Sequence, residues 1–163
     1  MSTLAETAPA FVGIAHRIVW ATVATVDSHA RPWTRVLHPL WVWDGESLVG
    51  WIATGPTPTK VAHLGAHPFA SLTYWDPRHD TINADCRASW ANDDARKTWL
   101  WDAFVTAPAP VGYDPAIIPG WSGGPTSPAF GALRLDPYRL RVQPAAAMTG
   151  DPSVPVLTWR ADA

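Results

Sequence analysis

The chain has 163 residues, which suits one domain and asks for no second. Its 47% hydrophobic content can pack a core and excludes a disordered chain, and a formal net charge of −2 offers no electrostatic basis for holding nucleic acid or an anionic membrane. No apolar run reaches membrane-spanning length, the opening MSTLAETAPAF lacks the n- and h-regions of a signal peptide, and the lone Cys86 excludes an intrachain disulfide and fits a reducing cytoplasm.

From Arg17 to Val26, RIVWATVATV is rich in β-branched and aromatic residues and short of charge, as a buried strand is. DSHARP reads as a turn, and WTRVLHPLWVW as the next strand, interrupted at Pro39, which cannot donate to a ladder. Asp44-Gly45 is a hairpin signal, and SLVGWIAT after it is a third strand. The run from Thr57 to His67 predicts a short helix opened by Thr57 or Pro58, with Val61, Leu64 and Gly65 facing inward. FASLTYW is a fourth strand, and residues 81–91 a fifth. Asn92-Asp93-Asp94 caps a second helix, with Trp99, Leu100, Ala103 and Phe104 on its apolar face.

Residues 107–128 are Pro- and Gly-rich without periodicity, and a loop of that length in a compact domain is functional or mobile. The β pattern returns at FGALRLDPYRLRVQP, where Arg134, Asp136 and Arg139 look outward, and a short strand VPVLTWR closes the chain. Short connections and two inserted helices favour a small antiparallel barrel over a βαβ sheet. Eleven tryptophans are read as filling a core or a subunit interface, where indoles bury large areas.

Chemistry concentrates in Arg35-Val36-Leu37-His38-Pro39-Leu40, read with Ile52-Ala53-Thr54 and Lys60. An arginine in an apolar strand is costly to bury without an anionic partner. A helix starting near Thr57 offers free N–H groups and a positive dipole end, to which Thr59 and Lys60 add a hydroxyl and a cation. Together these make a phosphate site; the alternative is that Arg35 pairs with a carboxylate and Lys60 is solvated. His63 and His67 stand four apart, but with no third ligand they read as helix-surface histidines, and no metal site is expected. No hydrolytic triad or Walker loop has its pattern here.

The ordered set ATVDSHARPWTRVLHPLW and GWIATGPTPTKVAHLGAHPFASLTYWDP resembles the pyridoxamine 5′-phosphate oxidase-like, FMN-binding split-barrel superfamily, and within it the general stress protein branch and its actinobacterial relatives. The resemblance runs from about Val19 to Trp101 and continues more loosely through GPTSPAFGALRLDP. It implies one domain over residues 1–163, mainly β with short helices, built as a six- to seven-stranded antiparallel split β-barrel.

It also implies a flavin-dependent oxidoreductase holding FMN at a homodimer interface. Arg35, Thr59 and Lys60 would grip the phosphate, Val36, Leu37 and His38 would pass beside the ribityl chain and ring, and Ala53 and Thr54 would add backbone and hydroxyl contacts. The oxidase pattern has Arg where Thr59 stands, Ser where Pro58 stands and Lys where Leu40 stands, so the oxidase's own substrate is not implied. Coenzyme F-420 is the alternative cofactor, its longer anionic tail served by Arg31, Arg78 or Arg87, and a non-catalytic flavin- or haem-binding protein is the alternative function. No catalytic acid or base is assigned; His38 is the one residue to test, and Trp121 and Trp159 are candidates to cap the ring from a partner subunit.

Overall fold

The computed structural model describes residues 1–161. In chain order its elements are α1 (Leu4–Ile18), β1 (Ala21–Val26), β2 (Pro32–Leu37), β3 (Pro39–Trp43), β4 (Leu48–Ala53), α2 (Pro58–Ala66), β5 (Phe69–Trp75), β6 (Thr81–Trp90), α3 (Asp94–Thr106), β7 (Ala132–Gln143), α4 (Ala145–Met148) and β8 (Leu157–Arg160). Two 3-10 turns, Pro115–Ile117 and Pro119–Trp121, lie between α3 and β7.

All eight strands form one antiparallel sheet of order β2-β1-β5-β6-β7-β4-β3, with β8 paired to β7. Among the described residues the strand count is thus eight rather than six or seven, and the sheet is not closed by hydrogen bonds. The ends of the strand path, β2 and β3, are separated in the chain by His38 alone, so the sheet must curl until its edges meet there. Pro39 accounts for the break: it lacks the N–H a continuing ladder requires.

Residues 4–18, part of which was expected to be strand, form α1. Its start is locked by a capping box, with the Thr3 hydroxyl accepting from the Glu6 N–H and the Glu6 carboxylate accepting from the Thr3 N–H. The helix stops at Val19, which has φ of 73°, and the first strand therefore begins at Ala21 rather than Arg17. Phe11 on its buried face meets Trp41 edge-on at 4.9 Å, and the Trp41 indole N–H donates to the Tyr74 hydroxyl at 2.8 Å. These rings belong to the main core, formed by α1 and the inner faces of the sheet.

The expected inward face of α2 is out of phase. Leu64 is buried, but Val61 and Gly65 are exposed and His63 is buried instead. The inward stripe is Lys60, His63, Leu64 and His67, at the i, i+3, i+4, i+7 spacing of a helix face. On α3, Leu100 and Phe104 are buried as expected, Trp99 is exposed, and Lys97 is buried with its ammonium donating to the Ser127 carbonyl at 2.8 Å.

That bond helps to fasten the 107–128 segment, which is packed rather than free. Val111, Trp121 and Phe130 join Leu100 and Phe104 in a second core cluster. Gly112 is required there by close approach, since a Cβ would fall 1.9 Å from the Ala107 carbonyl oxygen.

Candidate functional site

The β1–β2 register places Arg35 opposite Val23 and Trp33 opposite Thr25, on the inward side of the pair. The Arg35 guanidinium donates to the Thr25 hydroxyl at 2.9 Å, and that hydroxyl lies 3.0 Å from Nδ1 of the buried His63 on α2. The Trp33 and His63 rings meet edge-on at 5.6 Å. This packing fixes α2, through His63, against the β1–β2 pair that carries the arginine.

Lys60, in the first turn of α2, donates to the Thr54 hydroxyl at 2.9 Å. Thr54 is itself fixed, its N–H donating to the Gly131 carbonyl at 3.0 Å. Thr57 occupies the N-cap position without a side-chain cap bond, so the first-turn amides of α2 retain their donors.

Among the described residues neither Arg35 nor Lys60 has a carboxylate partner; the ion-paired cations are Arg17, Arg31, Arg78, Arg134 and Arg139. Burial lowers the pKa of Arg35, and burial together with the Arg35 charge lowers that of Lys60. Two half-buried cations that repel one another, beside an uncapped helix start, form a site that an anion would stabilise. The alternative in which Arg35 pairs with a carboxylate does not describe this structure.

Next to this site lies a cavity of about 710 Å³ at the seam of the sheet. Val36, Leu37, His38, Ala53 and Thr54 form one wall. Residues 17–20, at the end of α1, form a second, and Pro110, Tyr113, Ile117, Ile118 and Trp121 a third. The His38 ring is caged by Trp20 at 5.3 Å, Phe104 at 5.2 Å and Tyr113 at 5.2 Å. Its Nε2 is buried without a hydrogen-bond partner. Burial, reinforced by the nearby His16, pulls the His38 pKa down to about 4, so the ring is neutral near pH 7.

Of the residues singled out from sequence, Val36, Leu37, His38, Ala53 and Thr54 line the cavity, while Arg35, Thr59 and Lys60 do not. Arg35 and Lys60 sit on the α2 side, joined to the cavity wall through the Lys60–Thr54 bond, and Thr59 is exposed on the first turn of α2. Arg31 and Arg78 are engaged by Asp27 and Asp76, and Arg87 is exposed on β6. Trp121 is buried in its own chain, with its indole N–H donating to the Ala129 carbonyl at 2.9 Å, and Trp159 is partly buried against the main core. Of the two helix histidines, His63 is buried rather than at the surface. No group of three or more His, Cys, Asp or Glu side chains among the described residues is placed to hold a metal ion.

Sequence reasoning missed Ile18, Val19 and Trp20, for which the Thr3–Glu6 capping box was the available signal. It also missed Tyr113, Ile117 and Ile118, which sit in an aperiodic segment that offers no signal.

No protein-family model and no curated protein matches the chain. Solved structures do. A Clostridium acetobutylicum protein related to general stress protein 26 of B. subtilis, of the pyridoxinephosphate oxidase family, superposes with a TM-score of 0.66 at 14% identity, covering 91% of this chain and 89% of that one. A pyridoxamine 5′-phosphate oxidase-related, FMN-binding protein from Nostoc punctiforme gives 0.64 at 16% identity, over 95% and 96%. A haem-binding protein from Mycobacterium smegmatis gives 0.60 at 14% identity, over 98% of this chain and 59% of that one. The fold is that of the pyridoxamine 5′-phosphate oxidase-like split barrels.

Proposed function

We propose that this chain binds FMN through its phosphate and acts as a flavin-dependent oxidoreductase. The observation that carries the reading is the pair Arg35 and Lys60, half-buried, mutually repelling and without a carboxylate among the described residues, beside the uncapped start of α2. A phosphate dianion would receive the guanidinium fork, the ammonium and the first-turn amides. The adjoining apolar cavity suits a planar ring, with Val36, Leu37 and His38 along one side.

The bound flavin would supply hydride or electron transfer. This chain's residues hold and orient it: Lys60 is braced by Thr54, Arg35 by Thr25, and the loop after α3 supplies a wall of the cavity. FMN is put before F-420 because a solved neighbour of this fold is FMN-binding, while among the cations a longer anionic tail would need Arg31 and Arg78 meet carboxylates and Arg87 does not. Exposed Val36, Phe69 and Trp75, which share the outer face of β2, β1 and β5, support a second copy of the chain covering that face.

The test is a titration of purified protein with FMN and with riboflavin, after mass spectrometry of any ligand that co-purifies. FMN binding well above riboflavin binding supports the phosphate site. Equal affinity, or a haem band in place of a flavin, overturns it.

A further inference from the structure

We propose that the seam cavity selects an uncharged, planar ring compound carrying a carbonyl oxygen, and that Tyr113, on the loop after α3, is its specificity-determining residue. This names the substrate class of the redox reading above and rests on that reading for the term substrate; the selection itself is a property of the cavity.

The walls are apolar but for a few groups. Arg17 is the one formally charged residue among those described that line it, and its guanidinium is committed to Asp76 and Asp80. A charged ligand would therefore leave water for a cavity holding no free counter-charge, which disfavours it. His38 is neutral near pH 7, with its pKa lowered to about 4. Burial raises the Tyr113 pKa to about 12, so its phenol keeps its proton, and no hydrogen bond within the described chain engages it.

The cavity thus presents a neutral O–H donor beside a neutral imidazole, their rings 5.2 Å apart and tilted by 30°. The Tyr113 hydroxyl is not among the buried unpartnered atoms, so it is open to water in the cavity, and a carbonyl oxygen on an aromatic frame can replace that water as acceptor while the flat walls take the ring. Val36–His38 and Ala53–Thr54 are assigned above to the cofactor, so the loop wall with Tyr113 and Ile117 is the part left to the substrate.

The test uses three probes of one ring size, methyl 2-naphthoate, naphthalene and 2-naphthoate, titrated against FMN-loaded wild-type protein and followed by tryptophan fluorescence. The neutral ester should bind roughly 10- to 100-fold more tightly than the carboxylate. It should also exceed naphthalene by about three- to tenfold, a preference that Tyr113→Phe removes while leaving naphthalene affinity unchanged.

Ile117 lines the cavity yet is 70% exposed, so Ile117→Arg adds a cation without disturbing the core. It should reverse the order of ester and carboxylate. Equal binding of ester and carboxylate in the wild type, or an ester preference that survives Tyr113→Phe, overturns the proposal. Flavin absorbance reads cofactor binding separately. Selection among the probes in protein that takes no FMN would sink the redox reading and leave the cavity's selectivity standing, whereas FMN binding without selection would sink only the latter.

Discussion

Arg35 reaches across the β1–β2 pair to the Thr25 hydroxyl at 2.9 Å, and a hydroxyl is not a counter-ion. The bond aims the guanidinium but leaves its charge uncompensated. The same oxygen lies 3.0 Å from His63 Nδ1, so every group is used when Thr25 accepts from Arg35 and donates to the imidazole. Thr25→Val should lower stability by about 1–3 kcal/mol, since it strands the buried His63 and the half-buried Arg35, and should weaken FMN binding; Thr25→Ser should restore both. Denaturant melts and FMN titrations of the two variants provide the measurement.

Arg35→Ala and Lys60→Ala should each weaken FMN binding by about 1.5–3 kcal/mol, the value of a charge-assisted hydrogen bond, while riboflavin affinity stays as it was. Arg35→Lys should recover only part of the loss, because an ammonium cannot present a planar fork. Unchanged FMN affinity in both alanine variants would remove the phosphate site.

The neutral state of His38 makes stability depend on pH. Its pKa in the folded chain is about 4 against an ordinary 6.5, so the unfolded chain takes up the proton first. The His38 contribution to stability is therefore full above 6.5, declines as pH falls toward 4 and levels off below it. Partial exposure of the ring to solvent screens the effect to about 1–2 kcal/mol. In thermal melts across this range His38→Phe should flatten the slope, leaving the parts due to His16, whose pKa burial also lowers, and to carboxylates held low such as Asp44 and Asp76.

Gly131 holds Thr54 in place from behind. A Cβ at this position would stand 2.8 Å from the Thr54 carbonyl oxygen and 3.0 Å from the Trp90 ring. Gly131→Ala should cost about 1–3 kcal/mol of stability by overpacking. It should also loosen FMN, because the Lys60 ammonium is braced by the displaced residue. A melt and an FMN titration on one preparation would show whether the two losses come together.

Much of this site was legible before any coordinates. Strand segments announced themselves through β-branched runs and turn residues, and the Arg35-to-Lys60 order pointed to an anion site, because an arginine in an apolar strand carries its problem in the sequence. Helix α1 was missed although Thr3 and Glu6 spell its cap, since Pro9 and the β-branched residues near its end obscured the period. The α2 face was misread by one position because His63 was classed as polar, whereas Thr25 supplies a partner that permits burial.

The sequence by itself determined the strand-rich character, the hairpin connections and the lysine at the start of α2, all of which depend on neighbours close along the chain. Tertiary structure alone decided three matters: that Arg35 and Lys60 lack carboxylates among the described residues, that His38 sits at the seam where the sheet edges meet, and that an aperiodic loop supplies a cavity wall through Tyr113 and Ile117. Each depends on which distant groups the curled sheet brings within a few ångströms, and local propensity holds no record of that.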